Sequence, residues 1–177
     1  ITVNGRRIKA VVQVTKQAFT FVFDRITGQP VWPVEERPVP KSAVPGEWTS
    51  PTQPFPTKPA PFDRQGLTDD DLIDFTPELR AEAVRLVQRY KIGPLFTPPV
   101  VSKWEGPVAT LMLPNATGGA NWQGGSLDPE TNYLYIFSNT NPSALGLARG
   151  DGVKSDMLYV RGFASDPSDT SGRPGFP

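Results

Sequence analysis

Proline constrains this chain more than any other residue. Nine of its 21 prolines fall in one stretch: Pro33, Pro38, Pro40, Pro45, Pro51, Pro54, Pro56, Pro59 and Pro61. Each lacks a backbone N–H and holds φ near one value, so no α-helix and no central strand can run through them. The stretch reads as extended or polyproline-like loop over about residues 33–67. Trp48, Phe55 and Phe62 are interspersed in it. Such aromatics need a surface to pack on, which predicts an ordered excursion rather than a flexible spacer. With 16 glycines and a hydrophobic share of 37%, the composition excludes a compact helical bundle and fits short strands joined by long loops.

Other features narrow the function. A length of 177 residues makes one domain the default and allows a sizeable core. Acidic and basic residues balance at 18 each, so neither a nucleic-acid footprint nor an electrostatic membrane anchor is expected. No apolar run is long enough to span a bilayer, and no secretory leader is legible. The chain holds no cysteine and no histidine. Disulfides, thiolate or His-based zinc sites, and Ser–His or Cys–His catalysis cannot be built from it. Any catalysis must use carboxylates, Lys, Tyr or a bound cofactor. Ile1 stands where a strand is already approaching, and Gly175-Phe176-Pro177 closes no element. The expectation is a piece of a longer polypeptide.

Along the chain, Asn4-Gly5 signals a turn. Ile8–Val14 reads as a strand, mostly apolar and therefore expected to be buried. Phe19, Phe21 and Phe23 share one face by period-two alternation. Asp24-Arg25-Ile26-Thr27-Gly28 closes a hairpin, with Asp24 accepting backbone N–H bonds and Gly28 taking a positive φ. Val31-Trp32 starts the next strand. Beyond the Pro-rich stretch, Thr68 caps a short helix whose first turn holds Asp69, Asp70 and Asp71, charges suited to the positive end of a helix dipole. Their spacing is not that of a calcium loop. Thr76-Pro77 starts a second helix with Leu79, Ala83, Leu86, Val87 and Tyr90 on one face, ended by Gly93-Pro94. The helices together occupy about residues 68–92. Leu111–Pro114 looks like a short edge strand. Gly125–Asp128 and Tyr133–Ser138 form a second hairpin around Asp128–Asn132, a turn similar to Asp24–Gly28 and a sign of repetition. Met157–Val160 reads as a strand, and residues 166–177 as turn-rich.

The segment Gly118-Gly119-Ala120-Asn121-Trp122 carries the most specific chemistry. The glycine pair permits close approach of a flat ligand or of another backbone. Asn121 brings a donor and an acceptor, and Trp122 a broad face with one N–H. Together they suit an aromatic cofactor rimmed with carbonyl groups. Equally, they suit a tight corner of an all-β protein with a buried Trp.

This segment resembles the Gly-Gly-x-Asn-Trp stretch of the pyrroloquinoline quinone (PQQ) dependent dehydrogenases, in particular their membrane-associated glucose-dehydrogenase-like branch. Val22–Trp32 resembles that family's tryptophan-docking repeat, Ala-x-Asp-x-x-Thr-Gly-x-x-x-Trp, with Val22 in place of the usual Ala. Pro33–Pro40 leading into Ser50–Pro56 resembles a Pro-rich insertion of the same branch. The likeness runs from about Lys9 to about Asn139. It implies an all-β fold: part of a β-propeller with tryptophan-docking blades, residues 1–177 lying in one such domain, with an insertion at about 33–99. Trp32 would pack between neighbouring blades.

The resemblance also implies a site. A Lys or Arg at the place of Lys16 contacts the quinone oxygens of PQQ in that family, where a fixed ammonium stabilises developing negative charge. Asn121 and Trp122 carry over as cofactor-binding residues, Asn121 by hydrogen bonding and Trp122 by lining the pocket. No counterpart is present for the family's base-like Asp, for its calcium ligands or for the Trp under the cofactor, so no catalytic residue and no metal ligand is assigned. The implied parent reaction is oxidation of a sugar or alcohol hydroxyl to a carbonyl, with PQQ held by calcium outside this chain. Electrons pass to a quinone or cytochrome. The implied location is the bacterial periplasm, in association with the inner membrane, and the implied partners include the remaining blades. Two other classes compete. One is a non-catalytic propeller scaffold, which has no need of Lys16 or Asn121. The other is a carbohydrate-binding surface built from Trp48, Trp104 and Trp122.

Overall fold

The structure is a computed structural model and describes residues 1–168. The turn-rich end expected up to Pro177 lies, from residue 169 onward, outside the described residues. In chain order the elements are β1 (Thr2–Val3), β2 (Arg6–Arg7), β3 (Ala10–Val14), β4 (Thr20–Asp24), β5 (Val34–Pro38), β6 (Thr52–Pro56), α1 (Pro77–Val87), β7 (Val100–Val101), β8 (Thr110–Met112), β9 (Gly125–Leu127), β10 (Leu134–Ile136), β11 (Ser143–Arg149) and β12 (Tyr159–Arg161). They belong to two compact units. Of the described residues, one comprises 1–39, 51–65 and 113–141, and the other comprises 40–50, 66–112 and 142–168.

The first unit is a set of antiparallel hairpins: β1–β2, β3–β4, β5–β6 and β9–β10. In β3–β4, Val12 faces Val22 and Val14 faces Thr20. The expected aromatic face forms: Phe21 and Phe23 stack with ring centroids 6.2 Å apart, and Phe19 meets Phe21 and Phe55 edge-on. Phe19 is only 3% exposed, and Val14 and Val22 are also buried. The apolar run of β3 departs from expectation. Val11 and Val12 are both among the exposed large hydrophobics, because among the described residues β4 is the strand's only partner and neither face is covered at mid-strand. After the Asp24–Gly28 turn, pairing is one bridge between Phe23 and Pro30, framed by bonds from Val31 N–H to the Val22 carbonyl and from Asp24 N–H to the Gln29 carbonyl, each 2.8 Å. Trp32 is half-buried.

The Pro-rich segment is extended, as its composition requires, and part of it pairs as β5–β6. The register explains how a ladder tolerates prolines. Val39 N–H reaches the Pro51 carbonyl and Thr57 N–H the Pro33 carbonyl, each at 3.0 Å. Bonds therefore run through the odd positions of β6, while Pro54 and Pro56 sit at even ones facing Glu36 and Val34. Alternate residues direct their N–H groups to opposite edges, so the missing donors fall on the unpaired edge. Arg37 lies over the Phe55 ring at 5.2 Å and pairs with Glu35.

In the second unit, β8 pairs antiparallel with the first half of β11. The second half of β11 pairs with β7 in parallel and with β12 antiparallel. Lys91 bridges Thr110 on the other side of β8. The expected edge strand is thus an inner one, with Val108, Ala109 and Thr110 fully buried at the core. Thr110 satisfies its buried hydroxyl by donating to the Pro98 carbonyl at 2.9 Å. Helix α1 starts where expected: Thr76 Oγ1 accepts the Leu79 N–H and Pro77 takes the first position. It ends at Val87, short of Gly93, and only Val87 of its apolar stripe is buried. The acidic triplet makes a single 3-10 turn, with Thr68 N–H held by the Asp71 carboxylate at 2.8 Å. Three adjacent Asp residues compete with the backbone for hydrogen bonds and do not propagate a helix. Among the described residues, no helix is long and apolar enough to cross a membrane.

Candidate functional site

The site lies in the first unit, around the glycine pair. Local chemistry builds it in steps. Asn115 Oδ1 accepts from the N–H groups of Thr117 and Gly118 at 2.8 and 3.1 Å and from the Thr117 hydroxyl at 2.6 Å. This side-chain turn folds the chain into Gly118, whose φ is +101°. Gly119 then donates its N–H to the Lys16 carbonyl, and its own carbonyl accepts from Asn139 N–H, at 2.9 and 2.8 Å. Two stretches far apart in sequence are thereby tied to the same glycine.

Lys16 stands in the Thr15–Phe19 loop that joins β3 to β4. Thr15 closes that loop by bonding to both the N–H and the carbonyl of Phe19. A Cβ added to Gly118 would come within 2.6 Å of Lys16 Cβ and Cγ, so the lysine stem lies flat on that glycine. Gly119 is confined less tightly, with Ser138 Oγ 3.0 Å from its hypothetical Cβ. The close approach that the glycine pair permits is used by this chain's own side chains.

Beside the pair is a cleft of about 330 Å³, lined by Thr117, Gly118, Gly119, Ala120, Asn121, Gln123, Gly124, Phe137 and Asn139. Its size is at the lower end of small-molecule sites, roughly 300–1,000 Å³. Three side-chain amides and several backbone groups offer donors and acceptors, and Phe137 offers a ring. Asn121 lines the cleft while its amide is folded back on the loop: Oδ1 accepts Trp122 N–H at 2.9 Å and Nδ2 approaches the Thr117 carbonyl at 3.4 Å. Each atom keeps capacity for one more bond. Trp122 is 87% exposed and is not among the lining residues. The structure therefore brings Lys16 and Asn121 to one glycine segment, while Trp122 is exposed and not buried in a corner.

Sequence reasoning missed Asp63. Its carboxylate accepts from the hydroxyls of Ser138 and Thr140, with Thr140 Oγ1 at 2.7 and 2.8 Å from the two oxygens, and from Arg64 N–H at 2.7 Å. Burial pushes this carboxyl up. The Ser138 and Thr140 hydroxyls, the Arg64 N–H and the Arg64 charge outweigh that and hold it below its ordinary value. No local pattern marks it, because its partners lie about 75 residues on. Among the described residues, no three carboxylates or other ligand side chains gather to hold a metal ion.

Short hairpins closed by a repeated Asp-x-x-Thr turn, with a glycine-walled polar cleft beside one of them, are the parts of a bladed all-β protein. The chain belongs to the PQQ family described as glucose/ethanol/alcohol dehydrogenase, beta-propeller domain, whose model matches residues 1–171. It is 34% identical to the glycerol dehydrogenase large subunit of Gluconobacter thailandicus over 141 residues, covering 78% of this chain and 18% of that protein. It is also 34% identical to the quinoprotein glucose dehydrogenase of Escherichia coli (strain K12) over 152 residues, 82% of this chain and 17% of that protein. With the quinate/shikimate dehydrogenase (quinone) of Acinetobacter baylyi it shares 31% identity over 144 residues, 81% of this chain and 17% of the relative. The chain thus spans less than a fifth of the length of these curated relatives. No solved structure matches it significantly.

Proposed function

We propose that this chain is one segment of a periplasmic, PQQ-dependent dehydrogenase that oxidises a hydroxyl of a sugar or alcohol to a carbonyl and passes the electrons to a quinone or cytochrome. The observation that carries this reading is the bond between Gly119 N–H and the Lys16 carbonyl, with the Lys16 stem laid on Gly118. It joins the docking-repeat hairpin and the Gly-Gly-x-Asn-Trp segment beside one cleft.

The residues present suit a flat, anionic, carbonyl-rich cofactor. Amides of Asn121, Gln123 and Asn139 rim the cleft, and Phe137 gives it an apolar wall. Lys16 is not itself a lining residue, but its stem lies on Gly118 of the lining, and a cation carried there would stabilise charge on a quinone oxygen. Bound PQQ would supply the carbonyl that accepts hydride from the substrate. The base, the calcium ligands and the substrate contacts are assigned to chain outside this segment, as are the remaining blades. Residues 33–99 then form an insertion between two blade hairpins.

Lys16→Ala in the complete protein tests the reading. Turnover should fall roughly a hundredfold or more, the scale for losing a preorganised charge-stabilising donor. The melting temperature should stay nearly constant, because Lys16 is exposed. Full activity in that variant would remove Lys16 from the site.

A second reading, a non-catalytic propeller scaffold, is favoured by one observation. Lys16 and Ser138 already account for both glycines by packing, and Trp122 stands in solvent. A complete protein that folds normally and binds no PQQ would decide for it.

A further inference from the structure

We propose that Asp63 is a positioning residue of the glycine-pair cleft: from a separate loop, its carboxylate anchors the 137–140 segment that forms the cleft's far wall. This rests on the reading of the cleft as the cofactor pocket. The contacts alternate along the segment as in any extended chain. Ser138 and Thr140 donate their hydroxyls to Asp63, while Phe137 and Asn139 line the cleft. Between the two anchored residues, Asn139 N–H holds the Gly119 carbonyl at 2.8 Å. The same carboxylate thus fixes both the wall and, through Asn139, the glycine segment opposite.

Asp63 is suited to this in ways other residues are not. An ionised carboxylate only accepts, so it takes both hydroxyls and the Arg64 N–H at once. An amide has one accepting oxygen and can keep only part of the set. Alanine keeps none. Hydrogen bonds to a charged group are the stronger kind, and losing them frees residues 137–140 from the loop. Asp63 is not among the residues that line the cleft, so its effect passes through Phe137, Asn139 and Gly119.

The test uses the complete protein, freed of cofactor, with PQQ binding followed by its absorbance at 25 °C. Asp63→Ala should weaken PQQ binding at least roughly tenfold, the loss expected from charge-assisted hydrogen bonds. Turnover at limiting PQQ should fall in step with that loss of affinity. Asp63→Asn should fall between, and Thr140→Val, a milder change at an exposed position, should weaken binding by a smaller factor. Hydrogen exchange at Asn139 N–H should accelerate in the same order. Unchanged affinity and unchanged exchange in Asp63→Ala would overturn the proposal, as would a lower melting temperature accompanied by neither change. If Asp63→Ala does not fold, Thr140→Val decides on the same two readouts. Lys16→Ala and Asn121→Ala separate the two ideas. If both keep wild-type PQQ affinity, the cofactor reading fails, and exchange at Asn139 still reports on Asp63. If they lose affinity while Asp63→Ala does not, only the role of Asp63 fails.

Discussion

The hairpin turn at Asp24–Gly28 and the one at Asp128–Asn132 are built from the same bonds, yet the strands they serve live in different surroundings. In the first, Asp24 Oδ1 accepts Ile26 N–H at 2.8 Å, Gly28 N–H returns to the Asp24 carbonyl, and Thr27 Oγ1 accepts Gln29 N–H. In the second, Asp128 Oδ1 accepts Glu130 N–H at 2.9 Å, Asn132 N–H returns to the Asp128 carbonyl, and Thr131 Oγ1 accepts Tyr133 N–H. Gly28 and Asn132 both take a left-handed φ, +73° and +60°. The other carboxylate oxygen differs: Arg6 meets it in Asp24, and the Thr131 hydroxyl meets it in Asp128. So does the packing. β4 buries Thr20 and Val22, whereas Leu127, Tyr135 and Phe137 around β9–β10 are exposed. Eight residues beyond each Asp stand Trp32 and Ile136 respectively, so a tryptophan at that place belongs to the first turn alone. Turn geometry follows from a few adjacent residues. Burial depends on what else is present to cover the strands.

The largest contrast is expected in the strands. Phe19→Ala removes a buried ring packed against two others and should cost about 3–5 kcal/mol. Leu127→Ala, at a side chain 60% exposed, should stay within about 0.5 kcal/mol for this chain. Urea titrations of both variants would show it, and equal costs would break the comparison. A large cost for Leu127→Ala that appears only in the complete protein would sharpen it, by locating chain that covers β9–β10.

A smaller effect tests whether the turns are interchangeable. Gly28→Ala and Asn132→Ala each force a methyl side chain into left-handed backbone, which costs roughly 1–2 kcal/mol. Gly28→Asn and Asn132→Gly should each cost less, because both residues visit that region routinely. Unequal penalties for the two alanine variants in thermal melts would mean that surroundings, not the turn, set the strain.

The smallest effect is electrostatic. The Asp128 carboxyl is held below its ordinary value of 3.8, first by the Thr131 hydroxyl and then by Glu130 N–H, against a small opposing push from burial. A folded value lower than the unfolded one means that ionised Asp128 favours the folded turn above about pH 3.8, and the contribution fades as pH falls through the lower value. In an NMR titration, Thr131→Val should raise the Asp128 midpoint toward the ordinary one. An unmoved midpoint would show that the hydroxyl is not the cause.

Legibility followed range. The Asp-x-x-Thr turns, the Thr76–Pro77 helix start, the Phe19/Phe21/Phe23 face and the glycine pair were readable because each depends on residues within a few positions of one another. β11 was not, since Ser-Ala-Leu-Gly-Leu-Ala-Arg carries little β preference and is a strand only because β7, β8 and β12 flank it. β8 looked like an edge for the same reason. Lys16 and Asn121 were picked out by resemblance, whereas Asp63 had neither a motif nor a neighbour to mark it.

Local chemistry alone therefore accounts for where this chain turns, where its helix begins, and which glycines can admit a close neighbour. The fold as a whole decided that the neighbours on Gly118 and Gly119 are Lys16 and Ser138, that prolines could still pair by occupying the outward positions of β6, and that Asp63 ties down the wall of the cleft. A turn's bonds close over about five residues and tolerate any surroundings. Contacts across a hundred residues exist only once the intervening loops have closed, and no short window of sequence encodes that closure.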